Sequence, residues 1–395
     1  MTEKPVEAAR LLLIGVMVAL FFSPPVSVLL ELTLFAAMLA FGASRARLWQ
    51  ALHQPLAAMA LAFWLVVALG LAYTEAPWRQ GFDIWVSWRR ILLLVAAVAL
   101  FDEPRAKRQL AWTFIAVAAG CALASYAGVL FGFTYYKYEL GIVVRNHATQ
   151  GMFFAVAAFA SILLARFEKA FAARLALGAA AALLLGNAVF ITTGRSGHLV
   201  IAVLAAALVW GWPTRAPFRR LAWASAATVL ALALLASSPV VRDRVTQGVN
   251  EALTYREHTT GFTSIGLRVV FLRNTLELIA ERPVIGYGTG AFEAVYGRKV
   301  QGRPGMEGMP SHDPHNQFLK IAAEHGLLGL ALFIALLAVA LRQRGVPPPY
   351  RLLGLGVLAA WCATSLFNSH FSTFAEGRFI WLWLGACLAA AQSEA

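Results

Sequence analysis

Pro310-Ser311-His312-Asp313-Pro314-His315-Asn316-Gln317 closes the longest stretch of this chain that is too polar for a bilayer, and an apolar run to Leu341 begins at once. The polar stretch opens near Ser238, just after another apolar run. With Lys320, just past its end, it carries ten of the chain's 33 Lys and Arg residues. Within it, residues 265–280 read as an amphipathic helix through Leu267, Val270, Phe271, Asn274, Leu276 and Ile279, with Arg268 and Arg273 on or near its faces. Arg282-Pro283-Val284-Ile285-Gly286-Tyr287-Gly288-Thr289-Gly290 ends that helix with a proline and three glycines. Such spacing admits a phosphate cradle, but no strand precedes it, so a structural turn is expected. Residues 298–309 are Gly-rich and polar, and a mobile flap is expected there.

The rest of the chain is mostly apolar. It is 60% hydrophobic and 13% charged, with a mean hydropathy of +0.68, whereas soluble domains carry roughly a quarter charged residues. The apolar runs are long and do not alternate, which excludes a barrel and predicts an all-α polytopic membrane protein. A net charge of +13 is scattered between the runs and forms no basic stripe, so nucleic acid is excluded as a partner and membrane lipids are expected. Cys121, Cys362 and Cys387 lie in apolar runs without metal-ligand spacing or a disulfide pattern. The first apolar run has no convincing small-residue cleavage site and reads as a retained helix.

Twelve spans are expected, at residues 10–22, 26–41, 55–73, 88–101, 110–131, 147–164, 172–191, 197–210, 221–236, 316–341, 352–367 and 378–391. An interfacial helix rich in Trp78, Trp85 and Trp88 precedes or begins the fourth. The chain divides into spans one to nine (1–237), a loop domain with amphipathic helices (238–315) and spans ten to twelve (316–395). With the N-terminus in the cytoplasm, the connections on that side hold Arg45 and Arg47; Arg105, Lys107 and Arg108; Arg166, Lys169 and Arg174; Arg215, Arg219 and Arg220; and Arg342, Arg344 and Arg351. Every one is basic, as the positive-inside rule requires, so both termini are expected in the cytoplasm and the large loop outside.

Arg145, Arg195 and Arg378 sit in short outer connections where that rule disfavours them. Pairing, snorkelling or a shared anionic ligand would each explain them, and the planar guanidinium fork suits phosphate. Arg145 belongs to Val144-Arg145-Asn146-His147. Arg195 belongs to the tight turn Thr192-Thr193-Gly194-Arg195-Ser196-Gly197-His198, which lacks the preceding strand and spacing of a serine nucleophile elbow. Glu376 pairs with Arg378 or with another arginine across the bundle. His315 enters a long span directly, and an imidazole suits proton abstraction near neutral pH. His312 is its rival on the same turn, and His198 and His147 are weaker candidates. Lys320 with Glu324, four residues apart, reads as an internal pair, and His325 as packing or gating. Acidic residues on the outer side have no metal-ligand spacing, so no metal or cofactor is expected, and arginines would neutralise a leaving diphosphate.

His315-Asn316-Gln317-Phe318-Leu319 with Glu324-His325-Gly326-Leu327-Leu328-Gly329 resembles the histidine-to-glycine core of the bacterial O-antigen ligase and O-antigen polymerase superfamily. Thr193-Gly194-Arg195-Ser196-Gly197-His198-Leu199, Arg268, the turn from Pro283 to Gly290 and the twelve-span layout with its loop between spans nine and ten are similar too. The likeness runs from about Arg145 to Arg378 and aligns His315 with the family histidine. It implies a GT-C-like, inverting, metal-independent glycosyltransferase of the bacterial inner membrane, with its site facing the periplasm. The donor would be a glycan on undecaprenyl diphosphate, and the acceptor a hydroxyl of lipid A–core oligosaccharide. In that reading His315 is the base, and Arg195 and Arg268, with Arg145 and Arg378, hold the diphosphate. Asn146, His198, His312, Asn316 and Glu376 support them. An O-antigen polymerase and a protein O-oligosaccharyltransferase share the donor; a transporter of an anionic solute or lipid is the reading from another class. Transporters tend to carry internal repeats with a midplane site, and neither is visible here.

Overall fold

The computed structural model describes residues 4–135, 139–211, 217–253 and 264–390. Arg215 lies outside them. The described residues form helices and turns without a strand, so the protein is an all-α polytopic membrane protein. In chain order the helices are α1 (Lys4–Phe22), α2 (Pro24–Ala40), α3 (Gly42–Leu52), α4 (Pro55–Leu69), α5 (Trp78–Trp88), α6 (Leu92–Leu100), α7 (Pro104–Phe131), α8 (His147–Ala165) and α9 (Phe171–Phe190). Then follow α10 (Arg195–Trp210), α11 (Pro217–Ser237), α12 (Pro239–Leu253), α13 (Ser264–Glu281), α14 (Phe292–Val300), α15 (Gln317–Leu341), α16 (Pro348–Thr364) and α17 (Phe374–Leu388). Each of the twelve expected apolar stretches has a helix at its centre. Among the described residues, six helices (α1, α7, α8, α9, α15, and α4 with the turn to Tyr73) are long and apolar enough to cross a membrane, and up to seven if α2 and α3 count as one bent span. Helix α3, bent 96° from α2, had no counterpart in the expected spans.

Local chemistry places the helix starts. Pro55, Pro104 and Pro348 open α4, α7 and α16, where a missing N–H costs nothing. Asn146 caps α8 by accepting from Thr149 N–H at 2.9 Å, and Asn316 caps α15 by accepting from Phe318 and Leu319 N–H at 3.0 and 3.1 Å. Helix α8 is buried almost throughout and packs on α7, α9, α10 and α16. Phe21, Phe114, Phe153, Phe379 and Trp383 interlock across α1, α7, α8 and α17. Lipid tails are as apolar as these rings, so close packing, not exclusion of water, holds such helices together.

The connections sort to two ends. At one end Arg47 pairs with Asp102 at 2.9 Å, Arg108 with Glu168 at 2.9 Å, and Lys107 donates to Ala389 O at 2.6 Å. Tyr350 there donates to Pro104 O at 3.1 Å. These are the connections expected to share a side. The other end carries the described residues between α7 and α8, α9 and α10, and α16 and α17, together with the described part of the loop domain. That domain has its own small core of Phe271, Leu278, Tyr287, Phe292, Val295 and Tyr296.

The segment expected to be a mobile flap is built otherwise. Residues 298–300 complete α14, Met306 is buried in a short 3-10 turn, and Glu307 pairs with Arg273 at 2.8 Å. Arg303 also donates to Asn274 Oδ1 at 3.1 Å. Long side chains reaching from α13 pin the glycines, a connection that composition alone does not reveal.

Candidate functional site

His315 sits where the loop domain meets the bundle. Its φ of +55° is in the left-handed region, which costs a non-glycine residue about 1–2 kcal/mol. Asp313 holds it there. Oδ1 of Asp313 accepts from His315 N–H at 2.7 Å and from the Ser369 hydroxyl at 2.8 Å, and Oδ2 accepts from Lys320 Nζ at 2.9 Å. Lys320 therefore bonds to Asp313, not to Glu324 as helical spacing suggests. Phe271 of α13 stacks on the imidazole with centroids 5.8 Å apart. The Nδ1 atom of His315 is buried without a partner, which leaves Nε2 as the nitrogen a substrate can reach.

The connection between α16 and α17 is fastened to the same turn. Gln317 N–H donates to Ser365 O at 2.9 Å, Asn316 Nδ2 to Leu366 O at 3.1 Å, and the Ser372 hydroxyl to Gln317 Oε1 at 3.0 Å. Burial raises the Asp313 pKa, but the Lys320 charge and the donors around the carboxylate outweigh it, so the net displacement is downward. A depressed carboxylate contributes stability above its unfolded pKa and loses it as pH falls through the lower folded value. Asp313→Asn is expected to cost about 3 kcal/mol at pH 7, as when one partner of a buried pair is removed. The cost shrinks below about pH 4. Thermal unfolding of both proteins at pH 7 and 3.5 checks this; equal penalties at the two values would show that charge is not the cause.

His370, in the same connection, is 2% exposed, and its Nδ1 has no partner. Burial lowers its pKa, opposed by Glu376 on one side and Asp313 on the other. Arginines gather around Glu31 nearby in the bundle. Arg378 donates to Glu31 at 2.6 Å, Arg89 lies 3.1 Å from the same carboxylate, and Glu31 is fully buried in α2. Arg90 donates to the carbonyls of Ser87, Ser372 and Thr373. Arg145, at a φ of +47°, lays its guanidinium 4.9 Å from the Phe374 ring, and Arg378 lies 4.1 Å from that ring. Glu376 accepts from the Thr149 hydroxyl, and its expected pairing with an arginine is not among the described ion pairs. Four guanidiniums here face two carboxylates, a surplus that favours an anion.

Glu31, Arg89 and Arg90 were not among the residues expected at a site. A lone glutamate inside the apolar run of α2 was the available signal, since a buried intramembrane charge requires a partner.

Arg195 is the first residue of α10 and has no hydrogen bond or ion pair among the described residues. Its turn is tied to α8: Thr193 N–H donates to His147 Nδ1 at 3.1 Å, so His147 carries its proton on Nε2 and donates to Glu139 at 2.7 Å. A Cβ on Gly197 would lie 2.8 Å from the Gly151 backbone, so glycine lets α10 approach α8 this closely. His198 is buried, with Nε2 donating to Thr192 O at 3.1 Å, a bond that closes the turn. Arg268 lies one helical turn before Phe271 on α13, hence on the side that covers His315. His312 is exposed.

The glycine turn cannot cradle a phosphate. Tyr287, Gly288 and Thr289 N–H groups donate to Ala323 O, Glu324 O and Gly70 O at 3.0, 2.7 and 3.1 Å. Gly290 and Phe292 N–H groups serve the Glu324 carboxylate. Gly326, at a φ of +65°, breaks α15 where the turn packs on it, and a Cβ there would meet Val284 O. The turn is structural, as expected.

Among the described residues, no three His, Cys, Asp or Glu side chains are grouped to hold a metal ion. No curated protein matches the chain. Residues 179–334 match the family model described as O-Antigen ligase. That segment contains Arg195, His198, Arg268, His312, His315 and Asn316, while Arg145, Asn146, Glu376 and Arg378 lie outside it. The matched segment, which holds the histidine turn and Arg195, is similar to the O-antigen ligase family.

Proposed function

We propose that this protein transfers a glycan from undecaprenyl diphosphate to a hydroxyl of lipid A–core oligosaccharide. It would do so at the periplasmic face of the bacterial inner membrane, with both termini in the cytoplasm. The reading rests on three parts: bundle 1–237, loop domain 238–315 and bundle 316–395. The observation that carries it is the polar seam at one end of the bundle, where the segment 369–374 bonds to the His315 turn through Ser369 and Asp313 and sets Phe374 against the guanidiniums of Arg145 and Arg378. A seam at one end, not the midplane, suits a reaction on membrane-anchored substrates better than passage across the bilayer.

In this reading His315 Nε2 takes the proton of the acceptor hydroxyl as its oxygen attacks the anomeric carbon. The bond from that carbon to the diphosphate oxygen breaks, and its electron pair leaves on the diphosphate. Arg195 and Arg268, with Arg145 nearby, stabilise that charge without a metal. Arg378 is committed to Glu31 and acts by holding the cluster in place. An apolar groove of about 400 Å³, lined by Phe21, Phe22, Val117 and Cys121, ends at Arg145 and suits the first isoprene units beside the diphosphate.

Reconstitution with purified undecaprenyl-diphosphate glycan and lipid A–core, with chelator present, tests the proposal. Capped lipid A–core is the expected product. Elongated lipid-linked glycan would reassign the protein as a polymerase, and no product with either acceptor would sink the reading.

A further inference from the structure

A second cleft, of about 620 Å³, opens beside the His315 turn, between α5, α14 and the start of α15. Arg79, Gln80 and Asp83 of α5 form one wall, and His312 and Lys320 the other. Glu324, which also lines it, has its carboxylate fixed by the glycine turn. The α5 wall is rigidly set. Gln80 donates to Gly290 O at 3.3 Å and Glu293 at 3.0 Å, and Thr74 donates to Thr289 O at 2.8 Å. Arg79 and Asp83 have no bond partner among the described residues, and both are solvent-facing.

Position gives the cleft its meaning. Lys320 lines it and bonds to one oxygen of Asp313, while the other oxygen of Asp313 holds His315 and Ser369. Asp313 therefore links the backbone of His315 to a side chain of this cleft. Arg145 precedes the cap of α8, and Arg195 opens α10. Backside displacement at an anomeric carbon demands that the incoming hydroxyl and the leaving diphosphate occupy opposite sides.

We propose that the α5–α14–α15 cleft is the acceptor subsite, binding the charged oligosaccharide whose hydroxyl is delivered to His315. The proposal rests on the glycosyl-transfer reading above. Arg79 engages an anionic substituent of the acceptor, and Asp83 accepts from sugar hydroxyls, the mixed donor and acceptor lining that a phosphorylated glycan requires. Neither residue touches the donor or the reacting atoms.

Full-length protein in lipid nanodiscs is assayed with lipid A–core at saturating donor. Arg79→Gln and Asp83→Asn are each expected to raise the acceptor KM about tenfold, the factor for one lost charge-assisted hydrogen bond. The donor KM and thermal stability stay unchanged. An unchanged acceptor KM in both variants, or a donor KM that rises in step, overturns the assignment. Equilibrium binding of isolated core oligosaccharide to donor-free protein separates this inference from the reading beneath it. Binding that weakens about tenfold in the variants supports the cleft even where no transfer is seen. No binding, or equal binding by wild type and variants, overturns it.

Discussion

His315→Ala is expected to lower glycan transfer by about a hundredfold to ten-thousandfold, the range for removing a positioned general base. Protein level should hold. The Asn316 cap and the Asp313 bond to the backbone N–H of residue 315 do not need the ring. The lost stacking on Phe271 is worth only about 0.5–1.5 kcal/mol. Initial rates of lipid A–core capping, read against membrane content of the protein, decide the point. His312→Ala, read at saturating acceptor because His312 lines the α5–α14–α15 cleft, is the control, since the ring stacked on Phe271 is that of His315. Near-normal rates for His315→Ala, with loss for His312→Ala, would move the base to His312.

Arg195→Lys is expected to lower kcat by about a hundredfold to a thousandfold, as when one donor to a developing anion is removed. Lysine keeps the charge but loses the planar fork that binds two diphosphate oxygens at once. Stability should not change, because Arg195 makes no bond or ion pair among the described residues that lysine would break. Arg378 is the contrast. It is 2% exposed and bonded to a fully buried Glu31, so Arg378→Ala leaves that carboxylate with Arg89 alone and costs about 3 kcal/mol in folding. Full activity of Arg195→Lys would reduce Arg195 to charge steering. A stable Arg378→Ala protein would return Arg378 to the ligand set.

Much of the fold was legible because apolar runs and their breaks are local properties. The expected span at 147–164 and the helix α8, or the amphipathic stretch 265–280 and the helix α13, differ by only a residue or two. The site was legible in part. His315 was expected at the start of a long helix and stands one residue before the Asn316 cap of α15, while the capping roles of Asn146 and Asn316 came from the structure. Ion-pair partners were not legible. Lys320 and Glu324 have ideal helical spacing, yet Lys320 turns to Asp313; Glu376 and Arg378 are near neighbours, yet one bonds Thr149 and the other Glu31.

By itself, then, the sequence determined the class of protein, the alternation of its connections between two ends, and the turn that delivers His315. These follow from hydropathy and charge read over windows of a few to twenty residues. Tertiary structure alone decided that Glu31 fixes Arg378, that Asp313 and Phe271 hold His315 in a left-handed turn, that α13 pins the glycine-rich flap, and that a cleft lies against α5. Each of those depends on which side chains meet across tens to hundreds of residues of chain, and that choice is made by packing in three dimensions, where local pattern carries no information.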